Sequence, residues 1–395
     1  MAVKGIFTSD AGDLGDRQRD ISYNLLSYEV GGSVPLFALS AGMDEEIITN
    51  TSTEWYEEGL SISRTRITGN VGNPLGPRIE VEDASFLHEK MIMIHEGTGE
   101  MLFVKAVNGN ELTVTRGFGG GAVLPIVPGS AGDYVQLITT AFEEGSERPP
   151  AITTTGYPRN NQTHIFRRTW DITETAKAVT NHMGNRKARN QKKASMNIAE
   201  DVERALFWSV RDVGYINNKP IRTMDGVLAQ LRSNIFLSPA GGLTRRVLTD
   251  FIERLFSRRA AGMADERLFF CGNVAVRALN EIALRYSHYH ISETTTVWGI
   301  KVMEFRTPFG DVKLLIHPLM NENPIRSSSL YALHPGVMSM SWLRKIQETN
   351  GDNQGQASDL RDAESGVFTG EGTCAYKLEA TGGILTGISV DHFEI

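Results

Sequence analysis

Two cysteines in 395 residues, Cys271 and Cys374, are too few and too far apart for a disulfide scaffold, and they follow no metal or redox spacing. They read as reduced core residues. No run of about 18 apolar residues occurs, and the opening MAVKGIFTSDAGDLG has no continuous apolar core of signal-peptide length. The expectation is a soluble protein, made inside the cell, with no membrane partner. Positive charge is not in excess either: a formal net charge of -7 argues against a protein whose main task is to coat nucleic acid, while leaving room for a local basic patch.

Catalytic signatures are also missing. The chain holds no G-x-S-x-G, no P-loop and no H-E-x-x-H. His288 and His290 flank a tyrosine without a third metal ligand at a recognisable spacing, and read as an exposed pair after a helix. His317 and His334 each precede proline at a strand end, a structural position. Gly117–Ala122 fits the dinucleotide pattern G-x-G-x-x-A, but that pattern needs a helix directly after it to hold the pyrophosphate. Pro125 and Pro128 forbid one, so a glycine-rich turn is the expectation. Asp44-Glu45-Glu46, Glu57-Glu58 and Glu143-Glu144 face no evident nucleophile and read as solvated or interface charges. No catalytic, cofactor or metal site is assigned.

What is present is material for a core. At 41% hydrophobic and 22% charged, the chain can build one large or two ordinary cores. Its organising stretch is Asn185–Val213, predicted as one amphipathic helix. Ala188, Gln191, Ser195, Ile198, Val202, Ala205 and Ser209 share a stripe that Ala199, Leu206, Val210 and Val213 widen. Arg186, Lys187, Arg189, Lys192 and Lys193 crowd the first half, against the helix dipole. That basic end is either a solvated face or the partner of an acidic surface.

Before it, residues 1 to about 50 show little periodicity and admit only a brief helix; such a segment is either disordered or an arm lying on something else. Thr53–Thr68 and His164–Thr173 both read as strands carrying arginine beside aromatic residues. They are either ordinary sheet edges or the two limbs of one long hairpin. Between them, Met91–Ile94, Met101–Val107, Leu112–Thr115 and Tyr134–Ile138 read as short strands of a small barrel or sandwich, with a hairpin at Asn108-Gly109 and a linker at Glu143–Pro150. After the long helix, Tyr215–Pro220 reads as a loop. Helices are predicted at Thr244–Arg259 and Asn273–Tyr286, and strands at Leu268–Cys271, Ile300–Phe305, Val312–His317, Leu330–Leu333 and Val337–Ile346. A polar span Glu348–Glu364 precedes two last strands near Thr373–Ala380 and Ile384–Val390. The fold class is α+β.

One ordered set of segments resembles a tailed-bacteriophage major capsid protein. It comprises the arm, Trp55, Glu58 and Leu60 in a W-x-x-[DE]-x-L limb, and the insert with LTVTRGFGG. Gln162, Ile165 and Phe166 follow in a returning limb, then the long helix, MDGVLAQL, FGDVKLLIHPLM and GEGTCAYKLEATGGILTGI. The resemblance runs from about Asp20 onward and is closest to the branch with an inserted β domain. It implies the fold shared with herpesvirus capsid floors and encapsulins. The implied parts are an N-terminal arm (1–52), extended-loop limbs (53–80 and 150–172) and an inserted β domain (81–149). A peripheral domain with the spine helix (173–221 and 346–395) and an axial domain (222–345) complete it.

The resemblance further implies a non-enzymatic subunit that self-assembles through hexamers and pentamers into an icosahedral shell around double-stranded DNA, located in the virion and assembled in the host cytoplasm. Expected partners are other copies, a separate scaffolding protein, a portal, a decoration protein and non-specific contacts to packaged DNA. The arm is too short and too weakly helical for a cleaved scaffold segment, and no cross-linking motif transfers; Lys90 and Lys105 are merely lysines of the insert. The residues expected at subunit contacts are Trp55, Glu57, Glu58, Arg64, Arg66, Arg167, Arg168, Lys192 and Lys193. Two other classes stay open on the residues alone: a phage tail or adaptor protein, and an enzyme handling a nucleotide or sugar.

Overall fold

Strand periodicity and helix caps place most elements, and the computed structural model describes residues 34–40, 44–59, 63–70, 73–129, 132–147, 156–179, 185–240, 242–260, 265–285, 291–297, 300–350 and 362–389. The chain runs α1 (Pro35–Ser40), β1 (Asp44–Ile47), β2 (Ser52–Glu57), β3 (Arg64–Asn70), β4 (Arg78–Val81), β5 (Met91–His95), β6 (Met101–Asn108), β7 (Glu111–Thr115) and β8 (Tyr134–Thr140). Next come β9 (Tyr157–Gln162), β10 (His164–Thr173), α2 (Glu174–Ala178), α3 (Arg186–Trp208), β11 (Asp212–Ile216), β12 (Lys219–Thr223), α4 (Val227–Gln230), β13 (Ile235–Leu237) and α5 (Arg245–Phe256). The remainder is β14 (Glu266–Cys271), α6 (Asn273–Arg285), β15 (Ile291–Val297), β16 (Ile300–Arg306), β17 (Asp311–Ile316), α7 (Pro324–Ser327), β18 (Leu330–Leu333), β19 (Met338–Asn350), β20 (Ala363–Tyr376) and β21 (Gly383–Thr386). The class is α+β, with strands dominating.

Two compact units form, one of Tyr56–Pro158 and one of the residues up to Trp55 and from Arg159 onward. The boundary falls inside β2 and β9, which pair with each other.

The smaller unit is a closed barrel, β3-β4-β7-β6-β5-β8, with every pair antiparallel. Closure leaves no free edge inside it. Alternation along the strands points Ile67, Ile79, Met93, Leu102, Val104, Leu112, Val114 and Val135 inward, all essentially without exposure. Gly109, at φ 60, takes the first position of the two-residue turn between β6 and β7, a conformation that a residue with a Cβ resists.

The larger unit holds two main sheets. One is mixed and seven-stranded, β13-β21-β18-β14-β17-β16-β15, with β13/β21 and β14/β17 parallel. Helices α5 and α6 cover it through Leu248, Phe251, Leu255, Ala275, Leu279 and Ile282. Thr244 caps α5 by accepting from Val247 N, as expected for a hydroxyl just ahead of an apolar run. The other sheet is four-stranded, β1-β19-β20-β10, and α3 packs against it. Asn185 starts α3 by accepting from the N–H groups of Lys187 and Ala188, and Ala194, Ile198, Val202, Ala205 and Leu206 form its buried face. Ala194 is small enough to sit beneath Trp170 and Ile172. Opposite Trp170 on β20 stands Gly366, where a Cβ would lie 2.6 Å from the indole.

Four expectations are corrected. The long helix ends at Trp208, not Val213, because Ser209 turns extended and Gly226 N–H bonds its carbonyl. A Cβ on Gly226 would stand 2.7 Å from Ala205 O and 2.8 Å from Phe207 C, so only glycine lets α4 start this close to the helix end. Val210 and Val213 are therefore exposed, and Ala188 and Ser195 also face solvent. Tyr215–Pro220 belongs to a hairpin, β11 with β12, turning on Asn217 and Asn218 at φ 49 and 59. The strands read at Thr53–Thr68 and His164–Thr173 do not form one continuous hairpin, since β3 pairs β4 and β8 in the barrel and β10 pairs β20, but the limbs 53–80 and 150–172 do pair through β2 and β9. Glu348–Asn350 and Ala363–Glu364 of the polar span extend β19 and β20, because cross-strand pairing holds those polar residues in register to Asn350↔Gly366 and Thr173↔Ala363. His288–His290 and residues 1–33 lie outside the described residues.

Candidate assembly surface

Strand β10 and helix α3 position most of the charged residues singled out from the sequence. Arg168, on the β10 face turned to the helix, forms a two-pronged bond to Asp201 on α3. Arg204 meets Glu200 at 3.1 Å and Glu322 at 3.2 Å. Lys187 pairs with Glu364, which also takes Lys177; these hydrogen bonds, before any other influence, hold the Glu364 carboxyl below the usual range. Of the basic first half of α3, only Lys187 is answered by an ion pair among the described residues. Arg186, Arg189, Lys192 and Lys193, with Arg167 of β10, are exposed and have no ionic partner among the described residues.

The arginines of the barrel are answered as well. Arg64 bonds Glu96 at 2.5 and 2.6 Å and lies 3.8 Å over the Tyr134 ring. Arg66 reaches the buried Asp133 at 3.1 Å. Trp55 is half-buried, Glu58 is exposed, and Glu57 is buried and accepts from Tyr157 OH at 3.1 Å.

The glycine-rich turn has a structural occupant of its own. Glu100, 4% exposed, accepts from Arg116 Nε at 2.8 Å and Nη2 at 2.7 Å, and from the N–H groups of Gly117 at 2.8 Å and Leu124 at 3.2 Å. Burial alone would raise its pKa, but these donors together bring it below the ordinary value. No helix follows among the described residues, so the turn wraps a carboxylate of its own chain.

Sequence reasoning missed the contact that ties the arm to the spine. Glu203 sits on the buried side of α3 with no exposure. Its carboxylate accepts from Leu36 N at 2.9 Å and Phe37 N at 2.6 Å, the first amides of α1, and shares a 2.7 Å hydrogen bond with His317 Nε2. Phe207, Trp208 and Phe270 surround the His317 ring. One signal was legible: a charge next to Val202 and between Ile198 and Leu206 cannot face solvent without turning the stripe.

Known proteins bear on this arrangement. The sequence model of the SU10 major capsid protein family matches residues 31–389. The chain belongs to that family. The major capsid protein of Pseudomonas phage PaMx41 is 24% identical over 386 residues, which are 93% of this chain and 91% of that protein. Among solved structures, the capsid of a native GTA particle shares 8% identity over 98% of this chain and 100% of that chain, at a TM-score of 0.49. The holo-SrpI encapsulin complex of Synechococcus elongatus shares 11% over 61% of this chain and 80% of that chain, at 0.45.

The subunit is accordingly a phage major capsid protein, a structural component of the virion shell, and shells of its family are icosahedral and hold double-stranded DNA. Repeated copies of it make the shell. Among the described residues no His, Cys, Asp or Glu group forms a metal cluster, and no helix is long and apolar enough to cross a membrane.

Proposed function

We propose that the shell is held by the cations that the subunit leaves unanswered on β10 and α3. The observation that carries this is the exposure of Arg167, Lys192 and Lys193 beside Arg168 and Arg204, whose charges are already met inside the chain. A lattice of many modest contacts anneals errors that a few strong ones would trap. Charges at a surface suit that task, since each exposed pair contributes only about 0–1 kcal/mol.

In this reading the four-stranded sheet with α3 forms the peripheral domain, the seven-stranded sheet with α5 and α6 the axial domain of hexamers and pentamers, and the barrel an inserted domain. The subunit catalyses no reaction, and a scaffolding protein, a portal and a decoration protein complete the particle. Trp55 and Arg168 of the larger unit and Glu57, Glu58, Arg64 and Arg66 of the barrel unit are secondary members of the subunit contacts in this reading. Arg167→Glu with Lys193→Glu should abolish shells seen by negative-stain microscopy, whereas Arg64→Gln should leave them. Normal shells from the double variant would overturn the reading.

A further inference from the structure

In the barrel unit the connection from β7 to β8 includes Gly117–Gly132, sixteen residues in a row without a charge. The unit around it is acidic. Tyr56–Pro158 holds thirteen aspartates and glutamates against seven lysines and arginines, so it carries -6 of the chain's -7. On the uncharged connection Phe118, Val123, Leu124 and Val127 stand 37–57% exposed, and Leu75 of the β3–β4 connection is 49% exposed. Apolar residues scattered singly over a surface need no explanation, whereas a contiguous group marks a place of association.

Arg116 makes the group contiguous. Its guanidinium donates to Pro74 O at 3.1 Å and Gly76 O at 3.2 Å on one connection and to Leu124 O on the other, while Glu100 neutralises it. Ile126 N donates to Pro74 O at 3.1 Å, and the Ile126 side chain is buried in the barrel core. Leu124 N is held by Glu100 and Phe118 N by Met101 O, and the Phe118 ring stacks on Phe103 with 5.2 Å between centroids. Gly117, Gly119 and Gly120 sit at φ 62, 81 and 86, which lets the connection fold back as residues with a Cβ would not. The apolar surface is therefore shaped before any partner arrives, and little ordering entropy is lost when it is covered.

We propose that this surface meets its own counterpart on a second copy of the chain, across a two-fold axis of the shell. Repeated copies make the shell, and icosahedral symmetry supplies two-fold axes at which one surface faces itself. Self-contact sets like charge against like wherever a surface is charged, and this unit is acidic; an uncharged surface escapes that penalty. The same net charge disfavours packaged DNA and anionic lipid as occupants. Five partly exposed side chains on each copy bury less than the roughly 1,200 Å² from which stable complexes start, so the contact holds only where the shell sets many copies side by side. It acts apart from the cations of β10 and α3 and responds oppositely to salt: screening weakens those cations but relieves the repulsion between two acidic barrels.

The test is a thiol cross-link in assembled particles. Leu75→Cys and Leu124→Cys are made separately and treated with a short bifunctional maleimide. Cys271 and Cys374 are buried, and burial holds both thiols protonated, so they stay silent. Covalent dimers are expected from at least one variant in particles, and from neither in free subunits at equal concentration. Particles that yield no dimer overturn the proposal while leaving the cationic surface untouched. The chain carrying both substitutions should still stop at dimers; a ladder of larger products would place the connections around a three-, five- or six-fold axis and refute the assignment. Where the cysteine variants give no particles, charge pairing decides. Shells assembled from Leu124→Asp and Leu124→Lys chains together should come apart at a higher temperature than shells of either chain alone; no such gain refutes the contact. Leu124→Asp shells of unchanged stability that lose another virion protein would assign the surface to that protein instead.

Discussion

At Glu100 a carboxylate is taken out of water and given four donors in exchange, two from Arg116 and two from the turn that follows. Because its folded pKa lies below that of the unfolded chain, its contribution is complete above about pH 4.3 and is lost as pH falls through the folded value. Below the unfolded value, the unfolded chain takes up a proton that the barrel refuses. Acid should therefore open the barrel, with hydrogen exchange of β6 and β7 rising first. Glu100→Gln should weaken the barrel by about 3 kcal/mol at neutral pH and flatten that acid dependence. Exchange unchanged by the substitution would show that the turn holds itself. In the larger unit Glu203 is likewise a buried carboxylate on which distant donors converge. Glu203→Ala leaves His317 and the amides of Leu36 and Phe37 without their acceptor, a loss of about 3 kcal/mol, and limited proteolysis should then cut at residues 34–40. Glu203→Gln keeps an acceptor oxygen and should be milder. Neither carboxylate was legible as a keystone, since a lone Glu reports nothing about which distant amides converge on it.

Elements were legible where period and caps agree. The apolar positions of α5 and α6 repeat at three and four, and the strands of the barrel alternate, so local pattern and final burial coincide. The end of α3 was not, because helical periodicity continues through Val210 and Val213 while the stop comes from elsewhere. Gly226, seventeen residues beyond the last turn's Ser209, closes onto its carbonyl. Gly226→Ala should force that joint apart, lower stability by about 1–3 kcal/mol and lower the thermal midpoint by a few degrees. An unchanged melting curve would mean that α4 can shift freely. The hairpin β11–β12 was hidden for a related reason. Its Asn217-Asn218 turn is a good signal, but the preceding residues complete a helical stripe equally well.

On the scale of the whole molecule, the proposed assembly surface is the one where charge is left unanswered within the subunit. Ionic contacts made by Arg167 and Lys193 should weaken with salt, as the screening length shrinks from about 10 Å at 0.1 M to about 3 Å at 1 M. Light scattering should show shell formation slowing over that range. Salt-independent assembly would place the driving force in apolar contacts. Of this protein's character, the sequence by itself determined the α+β class, the small strand-rich insert, the spine and the capsid resemblance carried by ordered segments. Those properties depend on local periodicity, turn residues and the order of short motifs, which act over a few residues. Only the tertiary structure decided which arginines are spent inside the chain, that Arg64 and β3 close a barrel, that Glu203 fastens the arm, and that β10 ends a sheet. Each of these joins residues tens to hundreds of positions apart, and such pairings are set by packing free energy that no local pattern encodes.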